Sequence, residues 1–191
     1  AGALRRVEGL LAGVVEAVAA ILIAAALVVL FAGVVSRYFL HQPLIWSDEV
    51  ASILFLWLAS LGAVVAFRRG EHMRMTALVG MASPAVRTFL DAVAVVAALV
   101  FLLLVLEPAY EYASEEAFVS TPALELSNAW RAAALPVGLL LMAVMAVLRL
   151  FRQGSWRMTV AAIATVVLVA AAFVLIGPAF KGLGNLNLLI F

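Results

Sequence analysis

Two histidines, eleven carboxylates and no cysteine make up most of the chemical repertoire of this 191-residue chain. Without a thiol there is no disulfide, no thiolate metal site, no iron–sulfur cluster and no covalent haem attachment. His41 and His72 could each ligate a haem iron. They flank one apolar run, however, and so lie on opposite membrane faces, about 30 Å apart. One haem cannot join them, and no cofactor is expected. Glu16 is the one acid inside a long apolar run. Residues 17–35 beyond it would make about 28 Å of helix, close to a full bilayer core. That depth favours a place at the cytoplasmic interface, or a partner contact, over a proton or cation site. Ser52, Ser60, Thr159 and Thr165 are the main hydroxyls within the spans, and hydroxyls on a helix usually bond back to its own carbonyls. A transporter or channel acting alone needs polar groups at membrane depth or broken half-helices. Neither pattern is visible, nor is any catalytic constellation, so the chain reads as a non-enzyme.

The elements carrying these residues are set by composition. Hydrophobic residues make up 68% of the chain and charged ones 12%, about half the roughly 25% usual in soluble domains. The mean hydropathy is +1.22. A soluble fold of this length cannot hide that much apolar surface, so the expected class is an all-α integral membrane protein. Twelve basic residues balance eleven acidic ones, which argues against nucleic acid as a partner. Five spans are expected: residues 10–35, residues 50–67, a third from near Pro84 past Tyr110, residues 132–148 and residues 158–180. Ser47 would cap the second helix, with Asp48 and Glu49 in its first turn. Ser83-Pro84 reads as N-cap and first residue of the third, where Arg87 and Asp91 can pair four residues apart. Ser127 or Asn128 would cap the fourth, which tolerates Pro136 through its neighbours. Gly177-Pro178 ends or bends the fifth. Residues 73–82 read as a short interfacial helix. Arg5-Arg6 before a long apolar run reads as an uncleaved anchor, because the run exceeds a signal peptide's apolar region.

Charge sets the orientation. Nine basic residues (Arg5, Arg6, Arg68, Arg69, Arg74, Arg87, Arg149, Arg152 and Arg157) fall on one side, and Arg37, Arg131 and Lys181 on the other. The positive-inside rule then puts the N-terminus in the cytoplasm. Tyr38, Trp46, Tyr110, Tyr112 and Trp130 suit an outer aromatic belt and Trp156 an inner one; Trp57 falls mid-helix and fits neither. The acidic stretch with Glu111, Glu115 and Glu116 could dock a soluble partner electrostatically or be a solvated loop. Gly9-x-x-x-Gly13 and the set Ala94, Ala97 and Ala98 permit close helix approach, within the chain or to a partner.

Three stretches carry a family resemblance. The first is Ser36-Arg37-Tyr38-Phe39-Leu40-His41-Gln42-Pro43-Leu44-Ile45-Trp46-Ser47-Asp48-Glu49. The second is Phe55-Leu56-Trp57-Leu58-Ala59-Ser60-Leu61-Gly62-Ala63, and the third Arg68-Arg69-Gly70-Glu71-His72-Met73-Arg74-Met75. Together with Ala134-Leu135-Pro136-Val137-Gly138, they resemble the small membrane (Q, DctQ-type) subunit of TRAP (tripartite ATP-independent periplasmic) transporters. The resemblance covers residues 7–152.

It implies a four-helix transmembrane small-subunit bundle over residues 1–152, followed by a fifth connecting transmembrane helix within residues 153–191. Such a connector is similar to that of proteins in which the small subunit is fused to the large one. The resemblance further implies a scaffold for the large (M) subunit in sodium-coupled uptake of organic acids. A periplasmic substrate-binding protein would deliver them, in the inner (cytoplasmic) membrane of a bacterium or archaeon. Arg37, Trp46, Asp48 and Glu49 would organise the outer ends of the first two helices, with Arg37 pairing to Asp48 or Glu49. Arg68, Arg69, His72 and Arg74 would contact membrane lipid at the inner headgroup level. Glu111, Glu115 and Glu116 would meet the binding protein. Two other readings stand beside it: a haem- or quinone-associated anchor of a redox complex, and a small exporter acting as a homo-oligomer.

Overall fold

A computed structural model describes residues 2–69, 83–152, 157 and 159–168. Helix α1 runs Gly2–Tyr38, α2 Ile45–Arg69 and α3 Pro84–Glu115. A 3-10 turn, Glu116–Phe118, follows α3. The next helix comes in two pieces, a single turn α4 (Ala129–Ala132) and the rod α5 (Ala134–Arg152). A shorter apolar helix, α6, covers Thr159–Leu168. Among the described residues four helices are long and apolar enough to cross a membrane: Arg6–Tyr38, Ile45–Arg69, Pro84–Phe118 and Ala129–Phe151. The chain is thus an all-α membrane protein. Its 32-residue α3 is about 48 Å long, well beyond a hydrocarbon core of about 30 Å, as the reading from Pro84 past Tyr110 anticipated.

The boundaries follow local chemistry, with two differences from the sequence reading. Ser83 does precede Pro84 at the start of α3, but its side chain makes no cap hydrogen bond. Ser47 is not the cap of α2, which already begins at Ile45. Its hydroxyl instead donates to the Leu44 carbonyl at 2.7 Å. Proline explains the seam between α4 and α5. Pro136 has no N–H to give the Ala132 carbonyl, so the ladder is interrupted there and resumes with the Val137 N–H on the Ala133 carbonyl at 3.1 Å. Pro108, inside α3, removes a rung in the same way. The interfacial helix expected at residues 73–82, the Gly177-Pro178 break and most of the fifth span lie outside the described residues.

The helices do not close around one axis. α1 packs chiefly on α2, α2 on α5 and α5 on α3, with a lighter contact of α1 on α5, and no comparable contact joins α1 to α3. The four-helix arrangement is therefore an open row, ordered α1, α2, α5, α3, with α6 added beyond α3 through Ala162 against Ala92 and Val96. Its core is a set of seams. Leu61, Val64 and Phe67 of α2 meet Leu139, Ala143 and Ala146 of α5, spaced three and four apart as one helical face requires. Small residues set how close the helices come. A Cβ on Gly138 would lie 2.9 Å from Ser60 Cβ, and one on Gly33 3.0 Å from Ser47 Oγ. This is the small-residue packing that membrane helices use when no hydrophobic force draws them together. A row buries only the flanks of each helix, so both broad faces stay apolar and exposed. Helix α1 shows it most, with Leu10, Ile21, Val28 and Phe31 at 66–73% exposure.

Candidate functional site

Polar side chains gather at the two ends of the row. At the first, α1 must stop and turn within six residues. Ser36, 4% exposed, donates its hydroxyl to the Gln42 carbonyl, while the Gln42 N–H returns to the Ser36 carbonyl at 3.2 Å. His41 takes a left-handed conformation, φ 53°, a role glycine fills at little cost and a branched or bulky residue does not. Ser47, 3% exposed, then fits against Gly33 as α2 returns. The serines of this motif are closures and spacers.

Beside this turn Arg37 and Asp48 stand 3.7 Å apart, with side chains 57% and 74% exposed. A pair that wet contributes little. Glu49 has a different partner. Its two carboxylate oxygens accept the backbone N–H groups of Ala123 at 2.7 Å and Leu124 at 3.0 Å. Those amides form the tip of a small hairpin spanning residues 119–128. It is closed by the Thr121 N–H on Leu126 O at 2.8 Å and the Asn128 N–H on Val119 O at 2.7 Å. Glu125 supplies its left-handed residue, φ 53°. Two successive amides pointing one way make an anion-binding concavity, and Glu49 fills it. The sequence left Arg37 free to pair with either acid; the structure gives it Asp48 and commits Glu49 to the hairpin, more than 70 residues away.

The hairpin is also tied at its base. Asn128, 8% exposed, donates to the Glu116 carboxylate. It precedes α4 without capping it, whereas Ser127 Oγ accepts the Ala129 N–H at 3.3 Å and donates to Ala117 O at 3.0 Å. Of the three acids read as a docking patch, Glu116 is thus engaged within the chain, and Glu111 and Glu115 are exposed. Trp46 is also exposed. The mid-helix Trp57 finds its explanation here: its indole Nε1 donates to Trp130 O at 2.8 Å. An indole N–H placed in the middle of a membrane span has no water to serve it and needs such an acceptor.

At the other end Glu16 meets both arginines that finish α2, Arg68 at 3.3 Å and Arg69 at 3.7 Å. The partners of this acid are thus within the chain itself. It also means that Arg68 and Arg69, expected on lipid, share part of their charge with Glu16. The signal was present in the register. Glu16 lies as far before the end of α1 as Arg68 lies after the start of α2, about six turns each, so a tight antiparallel pair brings them level. Side chains here are 32–56% exposed, so the pair is worth about 1 kcal/mol or less. Glu16→Gln should therefore lower thermal stability only slightly in detergent, and the difference should shrink in high salt. A collapse of the fold on this substitution would show the pair to be sealed from solvent. His72 and Arg74 lie outside the described residues.

The two small-residue sets differ. Among the described residues a Cβ on Gly9 or Gly13 would meet nothing within 4 Å; on α3 Ala94 and Ala97 are exposed, whereas Ala98 packs against the core that includes Val95. Ser52 and Thr165 donate back to carbonyls of their own helices, at 2.8 Å each. Among the described residues no three of His, Asp or Glu are placed to hold a metal ion.

Comparison with known proteins adds a family pattern. The family described as tripartite ATP-independent periplasmic transporters, DctQ component, matches residues 26–155. The sialic acid TRAP transporter small permease protein SiaQ of Vibrio cholerae serotype O1 is 28% identical over 135 residues, 71% of this chain and 78% of the relative. The C4-dicarboxylate TRAP transporter small permease protein DctQ of the same organism is 29% identical over 82 residues, 43% of this chain and 35% of the relative. The sialic acid TRAP transporter permease protein SiaT of Haemophilus influenzae is 32% identical over 114 residues. That match takes in 60% of this chain and spans 18% of the relative's length.

Proposed function

The chain belongs to the DctQ component family of TRAP transporters, and from that premise we propose that it is a non-catalytic scaffold for a moving large subunit. In this reading the large subunit carries the substrate and ion sites, and a periplasmic binding protein delivers an organic acid whose uptake is coupled to sodium. One observation carries the proposal: the helices form an open row whose broad faces are apolar and whose polar side chains collect at its two ends. A row of this kind offers surface and no passage. Residues 1–152 would be the small-subunit unit. Residues 153–191 would lead towards a large subunit, a reading supported by a long permease relative that this chain matches over 18% of its length. The excess of arginine at the Glu16 end supports a cytoplasmic N-terminus in an inner membrane.

Arg37, Trp46, Asp48 and Glu49 would shape the periplasmic end, Arg68, Arg69, His72 and Arg74 would lie among inner headgroups, and Glu111 and Glu115 would face the binding protein. Reconstitution tests the whole. Liposomes holding this chain alone should take up no organic acid, and adding the large subunit and binding protein should establish sodium-dependent uptake. The large subunit should also copurify from native membranes. Uptake by this chain alone would end the scaffold reading.

A further inference from the structure

Glu107 of α3 departs from the gathering of polar side chains at the two ends of the row. Its height follows from contacts on either side of it. At the outer end Asn128 meets Glu116 and Ser127 meets Ala117; at the inner end Leu150 packs with Ala92 and Val96. In an antiparallel pair these contacts bring Glu107 level with Val137. The next residue, Gly138, stands against Ser60 of α2. Along α2, Ser60 is about 16 Å from Glu49 and about 12 Å from Arg68, so the Glu107 carboxylate stands near the middle of the bilayer core. The outer boundary cannot drop to meet it. Helix α1 runs against α2 with Gly33 at Ser47 and Glu16 at Arg68, so a boundary at Glu107 would put Leu27, Val28, Phe31 and Val34, all exposed, into water.

Glu107 is itself exposed, and among the described residues no hydrogen bond or ion pair reaches it. Val100, Leu103 and Leu104 before it and Glu111 after it are exposed as well, three, four and seven residues away on one face of the helix. Pro108 adds a second acceptor there, because its missing N–H leaves the Leu104 carbonyl without a helical donor. A carboxylate and a bare carbonyl thus lie side by side at a depth where lipid has no donor for either. A guanidinium has N–H groups for both. Residues 158–180 carry no charge, so the first cation of this chain beyond α6 is Lys181. We propose that the Val100–Glu111 face of α3 docks a transmembrane helix of the large subunit, and that an arginine of that helix pairs with Glu107 and serves the Leu104 carbonyl. The proposal rests on the scaffold reading and names the face by which the scaffold holds its partner.

Recovery of the large subunit from native membranes on the tagged full chain tests the contact. Glu107→Gln should lower recovery at least about tenfold, because the arriving cation is left unpaired in lipid, and Glu107→Asp should keep part of it. The melting temperature of the chain purified alone should not fall in either variant, since no pair within the chain is lost. A photoreactive residue in place of Leu104 should cross-link to the large subunit. Full recovery with Glu107→Gln overturns the proposal, as does a lower melting temperature of that variant alone. An equal loss of recovery in Lys181→Gln, which would put the cation in this chain, also overturns it, and so does cross-linking only to lipid or to a second copy. A wild type that recovers no large subunit ends the scaffold reading and this contact together, whereas wild-type recovery matched by Glu107→Gln ends the contact alone.

Discussion

Leucine in place of Gly138 is expected to open the seam between α5 and α2 and to do more damage than any other single change to the interior. A Cβ at that position already lies 2.9 Å from Ser60 Cβ and 3.5 Å from Ser60 Cα. The second atom is backbone in the middle of a helix, so it cannot step aside as a flexible side chain would. Overpacking of this kind costs about 1–3 kcal/mol, and more where the neighbour is rigid. The seam joins the two central members of the row, so a shift there separates α1 and α2 from α5 and α3. Thermal unfolding in detergent should show a clear drop for Gly138→Leu and a smaller one for Gly138→Ala. Pairing Gly138→Ala with Ser60→Gly should restore most of the loss, because the two substitutions act on one contact. A Gly138→Leu protein that melts like the wild type would refute the packing described.

Removing the carboxylate of Glu49 should have the largest effect at the other level, that of the hairpin. Its two oxygens are the acceptors for Ala123 and Leu124, and hydrogen bonds to a charged acceptor are about twice as strong as neutral ones. In Glu49→Ala both amides face water, and the tip is held only by its own short ladder. Hydrogen exchange should accelerate at Ala123 and Leu124 while the amides of α2 and α3 keep their protection. Glu49→Gln should be intermediate, since the amide keeps one acceptor oxygen and turns an N–H towards a donor. Asp48→Ala, one residue away and largely exposed, should leave the exchange unchanged. In the reconstituted transporter Glu49→Ala should depress binding-protein-dependent uptake well below that of Asp48→Ala. Equal exchange in all three variants would show that the hairpin does not need the clamp.

These two sites differ in how far they could be read in advance. The apolar runs announced the helices, since a bilayer leaves a polypeptide few other ways to satisfy its backbone. The stretch from Ser36 to Glu49 announced the tight return between α1 and α2. Arg37 with Asp48 or Glu49 was legible because the residues sit on either side of one short turn. The partner of Glu49 was not, because it is main chain, and any residue supplies an amide. Nor was the reason for Trp57, whose acceptor is likewise a carbonyl. Glu16 with Arg68 lay between the two cases: the charges were visible, and only the register of α1 against α2 joined them. The Gly9-x-x-x-Gly13 spacing suggested a seam and makes none among the described residues, while Gly33 and Gly138, which lack that pattern, make two.

What the sequence determined by itself is therefore the class of the molecule, the place of its first four long helices and the family to which residues 26–155 belong. Hydropathy and local motifs depend on nearest neighbours along the chain, and those are written out in order. Only the tertiary structure decided that the helices stand in an open row, that Glu49 holds a distant hairpin and that Trp57 reaches the Trp130 carbonyl. In lipid almost every helix face is apolar, so no hydrophobic stripe marks the inward side, and the choice falls to shape: where a glycine meets a serine, and where two main-chain amides meet a carboxylate.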